Sequence, residues 1–170
     1  MLAYRQGDAG AFETLYARHK GPLFRFVLRS VKERALTEEL YQEIWMRVIE
    51  ARSRYSVQAK FTTWLYTIAH HRITDHWRKR GLQLVEADDA DPPAPRAYEP
   101  EPRAEGRQDL QRLAAALAAL PELQREAFLL HEESGMTLAE IAAATGATEA
   151  AAKSRLRYAL AKLREAMGDG

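Results

Sequence analysis

The most informative segment of the chain is Thr137-Leu-Ala-Glu-Ile-Ala-Ala-Ala-Thr-Gly-Ala-Thr-Glu-Ala-Ala-Ala-Lys-Ser-Arg-Leu-Arg157. Thr137 and Glu140 have the spacing of a capping box, in which each side chain binds the other residue's backbone N–H at the start of a helix. Gly146 permits a tight turn after that short helix, and Thr148 is a suitable N-cap for a second, longer one. The segment therefore predicts a helix-turn-helix, the motif with which many proteins bind DNA.

The second helix of this motif carries basic and polar side chains near its exposed start. Arginine can bind guanine through two hydrogen bonds, while lysine and serine reach phosphate oxygens. Leu138 and Ile141 would pack the first helix across the second. The candidate contacts to duplex DNA are Thr148, Glu149, Lys153, Ser154, Arg155 and Arg157. Taken alone, this half of the chain could also be an alanine-rich helical hairpin that binds no DNA.

Upstream of the motif, residues 81–107 are rich in proline and acidic side chains. Five of the chain's seven prolines lie between positions 92 and 102, with seven Asp or Glu residues around them. A segment of this composition buries little apolar surface, so we expect a flexible linker. The 170-residue chain should therefore be divided into two small domains, residues 1–80 and 108–170. Neither half shows the alternating pattern of a strand, which predicts an all-α protein.

The charge is distributed unevenly, although the net charge is only +1. Residues 1–80 contain 15 Lys or Arg against eight Asp or Glu, and the second helix of the motif is also basic. Two separated basic stretches suggest two contacts with a polyanion; solvated helix faces are the alternative. The chain has no cysteine, which excludes disulfides and thiol nucleophiles and fits the cytoplasm. No apolar run is long enough for direct membrane insertion.

The first half should contain four helices. Asp8 can cap a helix over residues 9–18, which Gly21-Pro22 should end, and Pro22 can begin the next. Thr37 is the expected N-cap of a third helix, with its apolar stripe ending at Ile49. The fourth helix should cover residues 63–80.

This fourth helix and the residues before it interleave aromatic and basic side chains. Aromatic faces can stack unpaired bases while basic groups hold the backbone, which suits single-stranded DNA. Trp64 and Trp77 lie on the apolar stripe and should be core, whereas Tyr55, Phe61 and Tyr66 are expected to be freer. A face that should be exposed contains Tyr66, His70, Thr74 and Arg78.

Two sets of motifs lie in order along the chain. The first is Leu36-Thr-Glu-Glu-Leu-Tyr-Gln-Glu-Ile-Trp-Met-Arg-Val48, Phe61-Thr-Thr-Trp-Leu-Tyr-Thr-Ile-Ala69 and Asp75-His-Trp-Arg-Lys-Arg80. The second is Leu120-Pro-Glu-Leu-Gln-Arg-Glu-Ala-Phe-Leu-Leu130, Leu138-Ala-Glu-Ile-Ala142 and Lys153-Ser-Arg-Leu156. The first set resembles the region 2 helical domain, and the second the region 4 helix-turn-helix domain, of an extracytoplasmic-function (ECF) sigma factor of bacterial RNA polymerase.

The resemblance implies a transcription initiation factor with no enzymatic activity, cofactor, metal or catalytic residue. Its partners would be core RNA polymerase (the beta-prime clamp helices and the beta flap tip), promoter DNA and an anti-sigma factor that could hold it at the membrane. Region 4 would read the upstream (−35) element as duplex, and region 2 would recognise and melt the downstream (−10) element. The implied polymerase contacts are Glu39, Gln42, Glu43 and Trp45. The implied region 2 contacts to DNA are Tyr55, Lys60, Phe61, Tyr66, His70, His71, Thr74, Arg78, Lys79 and Arg80.

Two functions from other classes compete with this interpretation. His70, His71, Asp75 and His76 could suggest a metal site, but no second ligand cluster accompanies them. A stand-alone repressor or activator could use the helix-turn-helix alone, although it would need a dimer surface and palindromic sites. That alternative leaves the aromatic and basic helix of the first half unexplained.

Overall fold

A computed structural model describes residues 1–81 and 106–168 of the chain. All regular secondary structure within these residues is helical, as the sequence predicts. The helices are α1 (Leu2–Arg5), α2 (Ala9–Val31), α3 (Arg34–Glu50), α4 (Phe61–Lys79), α5 (Gly106–Ala119), α6 (Glu122–Ser134), α7 (Leu138–Thr145) and α8 (Glu149–Met167), with a 3-10 turn at Ala51–Arg54. We call residues 1–81 the N-terminal unit and residues 106–168 the C-terminal unit. The predicted linker, residues 81–107, falls almost entirely outside the described residues.

The N-terminal unit is built from three long helices. Helix α3 packs against both α2 and α4, and the short α1 lies against α2. Their apolar stripes meet in a core where side chains such as Phe26, Ile44, Leu65 and Ile73 are completely buried. This core fixes the side of α4 that faces inward, and with it the position of the loop that precedes α4.

The predicted break at Gly21-Pro22 is wrong, because α2 continues from Ala9 to Val31 with Pro22 in its interior. A proline inside a helix removes one hydrogen bond and costs about 3 kcal/mol. Leu23, Phe26 and Val27 follow it directly and are fully buried. Because each such side chain contributes about 1.5–3 kcal/mol, their burial outweighs the penalty and keeps the helix continuous.

The predicted start of the third helix at Thr37 is also wrong. Helix α3 begins at Arg34, and Glu33 is its N-cap. Thr37 lies buried in the first turn, where its hydroxyl donates a hydrogen bond to the Glu33 carbonyl oxygen at 2.6 Å. Burial of Leu36 extends the helix upstream of the threonine. The hydroxyl therefore bonds back into the helix, a common alternative to capping.

The C-terminal unit contains the predicted helix-turn-helix in α7 and α8. Both halves of the capping box between Thr137 and Glu140 are formed. Gly146 ends α7 in the left-handed conformation, with φ of 68°, and the Thr148 side chain accepts a hydrogen bond from the backbone N–H of Ala151 at the start of α8. Helix α8 packs on α5, α6 and α7, so its own core positions hold the whole unit together.

The two units pack directly against each other. Helix α6 lies against α2 and α4, and α7 lies against α4. The buried apolar side chains of both units form one continuous cluster. The sequence did not predict this contact, because the composition of the linker carries no information about which surfaces of the two units are complementary.

Candidate nucleic-acid interface

The start of α8 is the first candidate surface for nucleic acid. Helix α7 crosses behind it and buries Ile141 and Ala142, so the first turns of α8 project from the protein. Thr148, Glu149 and Lys153 are exposed there, while Ser154, Arg155 and Arg157 are half-buried. The Arg157 guanidinium lies 5.5 Å from the centre of the Tyr158 ring. The structure thus places the six residues predicted for duplex DNA at the cap and in the first half of α8, three of them exposed and three half-buried.

A pocket of about 380 Å³ lies between the 3-10 turn and the start of α4. Its size is within the range of sites that hold small molecules. The Trp64 ring meets Tyr55 edge-on, with ring centres 4.9 Å apart, and contacts Phe61 at 5.8 Å. The residues that line the pocket are Ala51, Arg54, Tyr55, Ser56, Gln58, Ala59, Thr63, Trp64 and Thr67. Aromatic walls around a small-residue loop suit a flat, partly polar group such as a nucleotide base.

Sequence reasoning was only partly right about the aromatic residues around this pocket. Trp64 packs against the core, as predicted, but it is only half-buried and also lines the pocket. Tyr55, which we expected to be free, is buried, and Arg5 Nη1 donates a hydrogen bond to its carbonyl oxygen at 2.7 Å. Burial also raises the pKa of the Tyr55 phenol. The cause is the turn at Ala51–Arg54, which folds the loop back over α4 and could not be derived from helical spacing.

The predicted exposure of the Tyr66 face is wrong for its first two members. Tyr66 and His70 are only 1% and 6% exposed, because α6 covers them. The Tyr66 hydroxyl donates a hydrogen bond to the Glu133 carbonyl oxygen at 3.2 Å, and His70 Nδ1 lies 2.5 Å from Glu126 Oε1. Burial raises the pKa of the Tyr66 phenol. Their predicted role in binding DNA therefore requires that α6 move away.

The C-terminal end of α4 matches the prediction better. Arg78, Lys79 and Arg80 are exposed, and Arg78 pairs with Asp75 on the same helix. His71 is also exposed at the surface, where partial burial of its ring, followed by the neighbouring His70, lowers its pKa. The predicted contacts Lys60 and Phe61 stand at the helix start, exposed and half-buried respectively, and Thr74 is half-buried. Most of the predicted single-strand surface thus remains accessible at the two ends of α4.

The acidic side of α3 is the predicted polymerase surface. Glu39 and Gln42 are exposed, whereas Glu43 is half-buried and pairs with Arg72 of α4 at 3.5 Å. Trp45 is buried, and its ring packs edge-on against Phe12, Tyr16 and Tyr41. The expectation of a directly contacting Trp45 is therefore wrong: in this structure the indole supports α3 from behind. Ile49, which the periodicity placed in the buried stripe, is exposed instead.

No helix among residues 1–81 and 106–168 is both long enough and apolar enough to span a lipid bilayer. Within the same residues no group of three or more His, Cys, Asp or Glu side chains is arranged to hold a metal ion. His70, which the metal hypothesis would need, is already bound to Glu126 across the two units.

Comparison with known proteins agrees with this geometry. Residues 15–83 match the family model of Sigma-70 region 2, and residues 110–163 match that of Sigma-70 region 4. The chain is 34% identical over 170 residues to the RNA polymerase sigma factor CarQ of Myxococcus xanthus, covering 99% of this chain and 96% of the relative. It is 36% identical over 132 residues to the ECF RNA polymerase sigma factor SigF of Caulobacter vibrioides, covering 76% of this chain and 70% of SigF.

A solved structure shows the same fold. The sigma factor RpoE of Bartonella quintana, crystallised with the anti-sigma factor NepR, superposes with a TM-score of 0.71 at 26% identity, over 93% of this chain and 97% of RpoE. The two helical units and the two family matches define the sigma-70 class of transcription initiation factors. Within that class, the chain belongs to the ECF family of RNA polymerase sigma factors.

Proposed function

We propose that this chain binds core RNA polymerase through α3 and directs it to promoters by reading two DNA elements. The observation that carries the proposal is the pairing of an exposed recognition helix, α8, with an aromatic pocket beside basic residues on the other unit. A duplex reader needs the first feature, and a protein that holds separated strands needs the second. The free energy of binding would then be sufficient to open the promoter, with no covalent reaction.

The upstream element would be read as duplex by the start of α8. Lys153 is exposed and suited to phosphate, while Arg155 and Arg157 suit guanine edges in the major groove. Thr148 lies at the cap, where the positive end of the helix favours a nearby phosphate, whereas the Glu149 carboxylate repels phosphate and suits a base amino group instead. Helix α7 would set the angle at which these groups meet the groove.

The downstream element would be opened and held by the N-terminal unit. Separating a base-pair step costs about 1.4 kcal/mol in lost stacking. Capture of an extruded base between aromatic side chains returns about 1–3 kcal/mol. The pocket lined by Tyr55 and Trp64 supplies such a place, and Lys60 and residues 78–80 supply the charge that holds the strand. A few captured bases can therefore offset the opening of a few steps.

An anti-sigma factor is the expected regulator. The related RpoE is bound to the anti-sigma factor NepR in its solved structure, and we infer that this chain has a partner of the same kind. We place the chain in the cytoplasm, held at the membrane wherever that partner is anchored there.

Run-off transcription with purified core polymerase tests the proposal. A pool of randomised duplex promoters, sequenced after selection, should yield two short conserved elements at a fixed spacing. Templates that are already melted at the downstream element should depend less on this chain than duplex templates do. Equal transcription with and without the chain, on both kinds of template, would refute the proposed function.

A further inference from the structure

Carboxylates of the C-terminal unit meet polar and cationic groups of the N-terminal unit along the whole contact. Glu133 pairs with Arg25 and Arg29 of α2, and Glu126 pairs with His70 of α4. At the far end, Glu140 accepts a hydrogen bond from the Thr63 hydroxyl at 2.9 Å. At these three positions the N-terminal unit supplies the donors and the C-terminal unit supplies the carboxylate acceptors, whereas Arg125 of α6 donates in the opposite direction, to the Ser30 carbonyl oxygen at 3.4 Å.

The contact at Glu133 has the geometry of a built anion site. Arg25 Nε lies 3.3 Å from Glu133 Oε1, and Arg25 Nη2 lies 3.0 Å from Oε2, so one guanidinium binds both carboxylate oxygens. Arg29 Nη1 donates a further hydrogen bond to Oε1 at 2.8 Å. The hydrogen bond to Glu133 raises the pKa of Arg25. Two guanidinium groups that converge in this way bind a phosphate as well as a carboxylate.

The exposure of these side chains shows which of them is inserted into the surface of the other unit. The Glu133 side chain is only 9% exposed, whereas those of Arg25 and Arg29 are 52% and 46% exposed. The arginines therefore belong to the open surface of the N-terminal unit, and the glutamate is inserted among them. Arg25 and Arg29 were absent from the DNA contacts that the sequence predicted.

We propose that Arg25 and Arg29 form a phosphate site for a separated DNA strand, and that Glu133 occupies this site in the closed protein. The proposal rests on the proposed function, since it names a further contact for the same strand. Closure has a second effect: α6 also covers Tyr66 and His70, so the strand and the C-terminal unit compete for one surface. The chain is thereby autoinhibited until its two units are drawn apart.

A nucleic-acid strand fits the site better than an acidic protein does. Tyr66, whose hydroxyl contacts the Glu133 carbonyl oxygen, lies on the helix that also carries the pocket residues and the basic end at residues 78–80. A strand that follows α4 would meet aromatic faces and cations in alternation. A peptide of carboxylates would use only the cations.

Closure can be measured by fluorescence energy transfer in the full-length chain. Because the chain has no cysteine, A17C and A166C place one dye on an exposed site of each unit. E133R should lower the transfer efficiency, since it replaces two attractions by two repulsions across the contact. The matched control is E132R, which makes the same change of charge at an exposed neighbour on α6. If E133R retains its helical content and its energy-transfer efficiency is unchanged, the proposal that Glu133 holds the protein in a closed, autoinhibited state is wrong.

Strand binding is measured with a labelled single-stranded oligonucleotide of roughly ten nucleotides, without polymerase. E133R should bind it about tenfold more tightly than the wild type, because apparent affinity rises with the fraction of open protein. Adding R25Q and R29Q to E133R should abolish that gain and lower the slope of log affinity against log salt by about 1.4. Adding R34Q and R47Q instead, which remove two cations of α3, should leave the affinity of E133R unchanged.

The remaining outcomes show which part of the proposal is wrong. Binding by the E133R, R25Q, R29Q variant that equals binding by E133R would overturn the phosphate site. A polyglutamate peptide that binds E133R as tightly as the oligonucleotide does would assign the two arginines to an acidic partner protein, which also overturns it. Failure of the proposed function is distinguishable, because run-off transcription would then be absent even with an open variant that binds the strand.

Discussion

Replacing Glu126 by leucine should open the protein. Glu126 and His70 are both buried at the contact, and Nδ1 lies 2.5 Å from Oε1. Leucine has nearly the size of glutamate but leaves the imidazole N–H without its acceptor. An unsatisfied buried polar group costs about 1–3 kcal/mol. The cost applies only to the closed state, because water solvates His70 as soon as α6 moves away.

This penalty shifts the ratio of open to closed protein by a factor of about 5–150. The assay is the energy transfer between dyes at A17C and A166C, measured in E126L and in the control E132L. Leucine at the exposed position 132 removes the same charge and should leave the transfer unchanged.

The companion variant, E126L with H70L, distinguishes a specific pair from a general loss of packing. When both partners of a buried polar contact become apolar, the change is nearly neutral. The double variant should therefore recover most of the closure that the single variant loses. A double variant as open as E126L, or an E126L protein as closed as the wild type, would refute the role assigned to this pair.

Three further predictions concern the other surfaces. K153A and R157A should each weaken binding to an upstream-element duplex in the polymerase complex by about 1–3 kcal/mol; unchanged gel-shift affinity would contradict the assignment of α8. E39K should slow association with core polymerase, by about tenfold at low salt, in surface plasmon resonance; an unchanged rate would exclude this face of α3. Hydrogen bonds from Thr137 and Thr63 lower the pKa of Glu140 from its ordinary value of 4.5. Its stabilising effect is therefore complete above pH 4.5 and lost as the pH falls through the lowered pKa. Thermal melts of E140Q should lack this acid-dependent step, and melts that retain it would place the step elsewhere.

Local signals predicted the helix-turn-helix closely. Thr137, Glu140, Gly146 and Thr148 act within one or two turns of the backbone, so their effect is the same in any tertiary context. Pro22 and Thr37 were misread for the opposite reason. Pro22 is typical of a helix break and Thr37 of a helix cap. In both places the local preference was outweighed by the burial of Leu23, Phe26 and Leu36 against residues that are distant in the sequence.

The candidate site divides in the same way. The exposed ends of α4 and the start of α8 follow from helical spacing and charge, which the sequence displays directly. The pocket could not be predicted, because it needs the turn at Ala51–Arg54 to fold Tyr55 against Trp64. Arg54, Ser56, Gln58 and Thr67 line it without any pattern that marks them in the sequence.

The amino-acid sequence by itself determined that this protein is all-helical and that it belongs with the sigma factors, and it predicted a division into two units. Periodicity, helix caps and the order of the motifs depend on residues that are close in the sequence, so they can be recognised without the tertiary structure. Only the tertiary structure decided that Glu133 lies between Arg25 and Arg29 and that α6 buries Tyr66 and His70. Such contacts join residues that are between 56 and 108 positions apart, and their energy depends on shape and charge complementarity between two surfaces that no local pattern encodes.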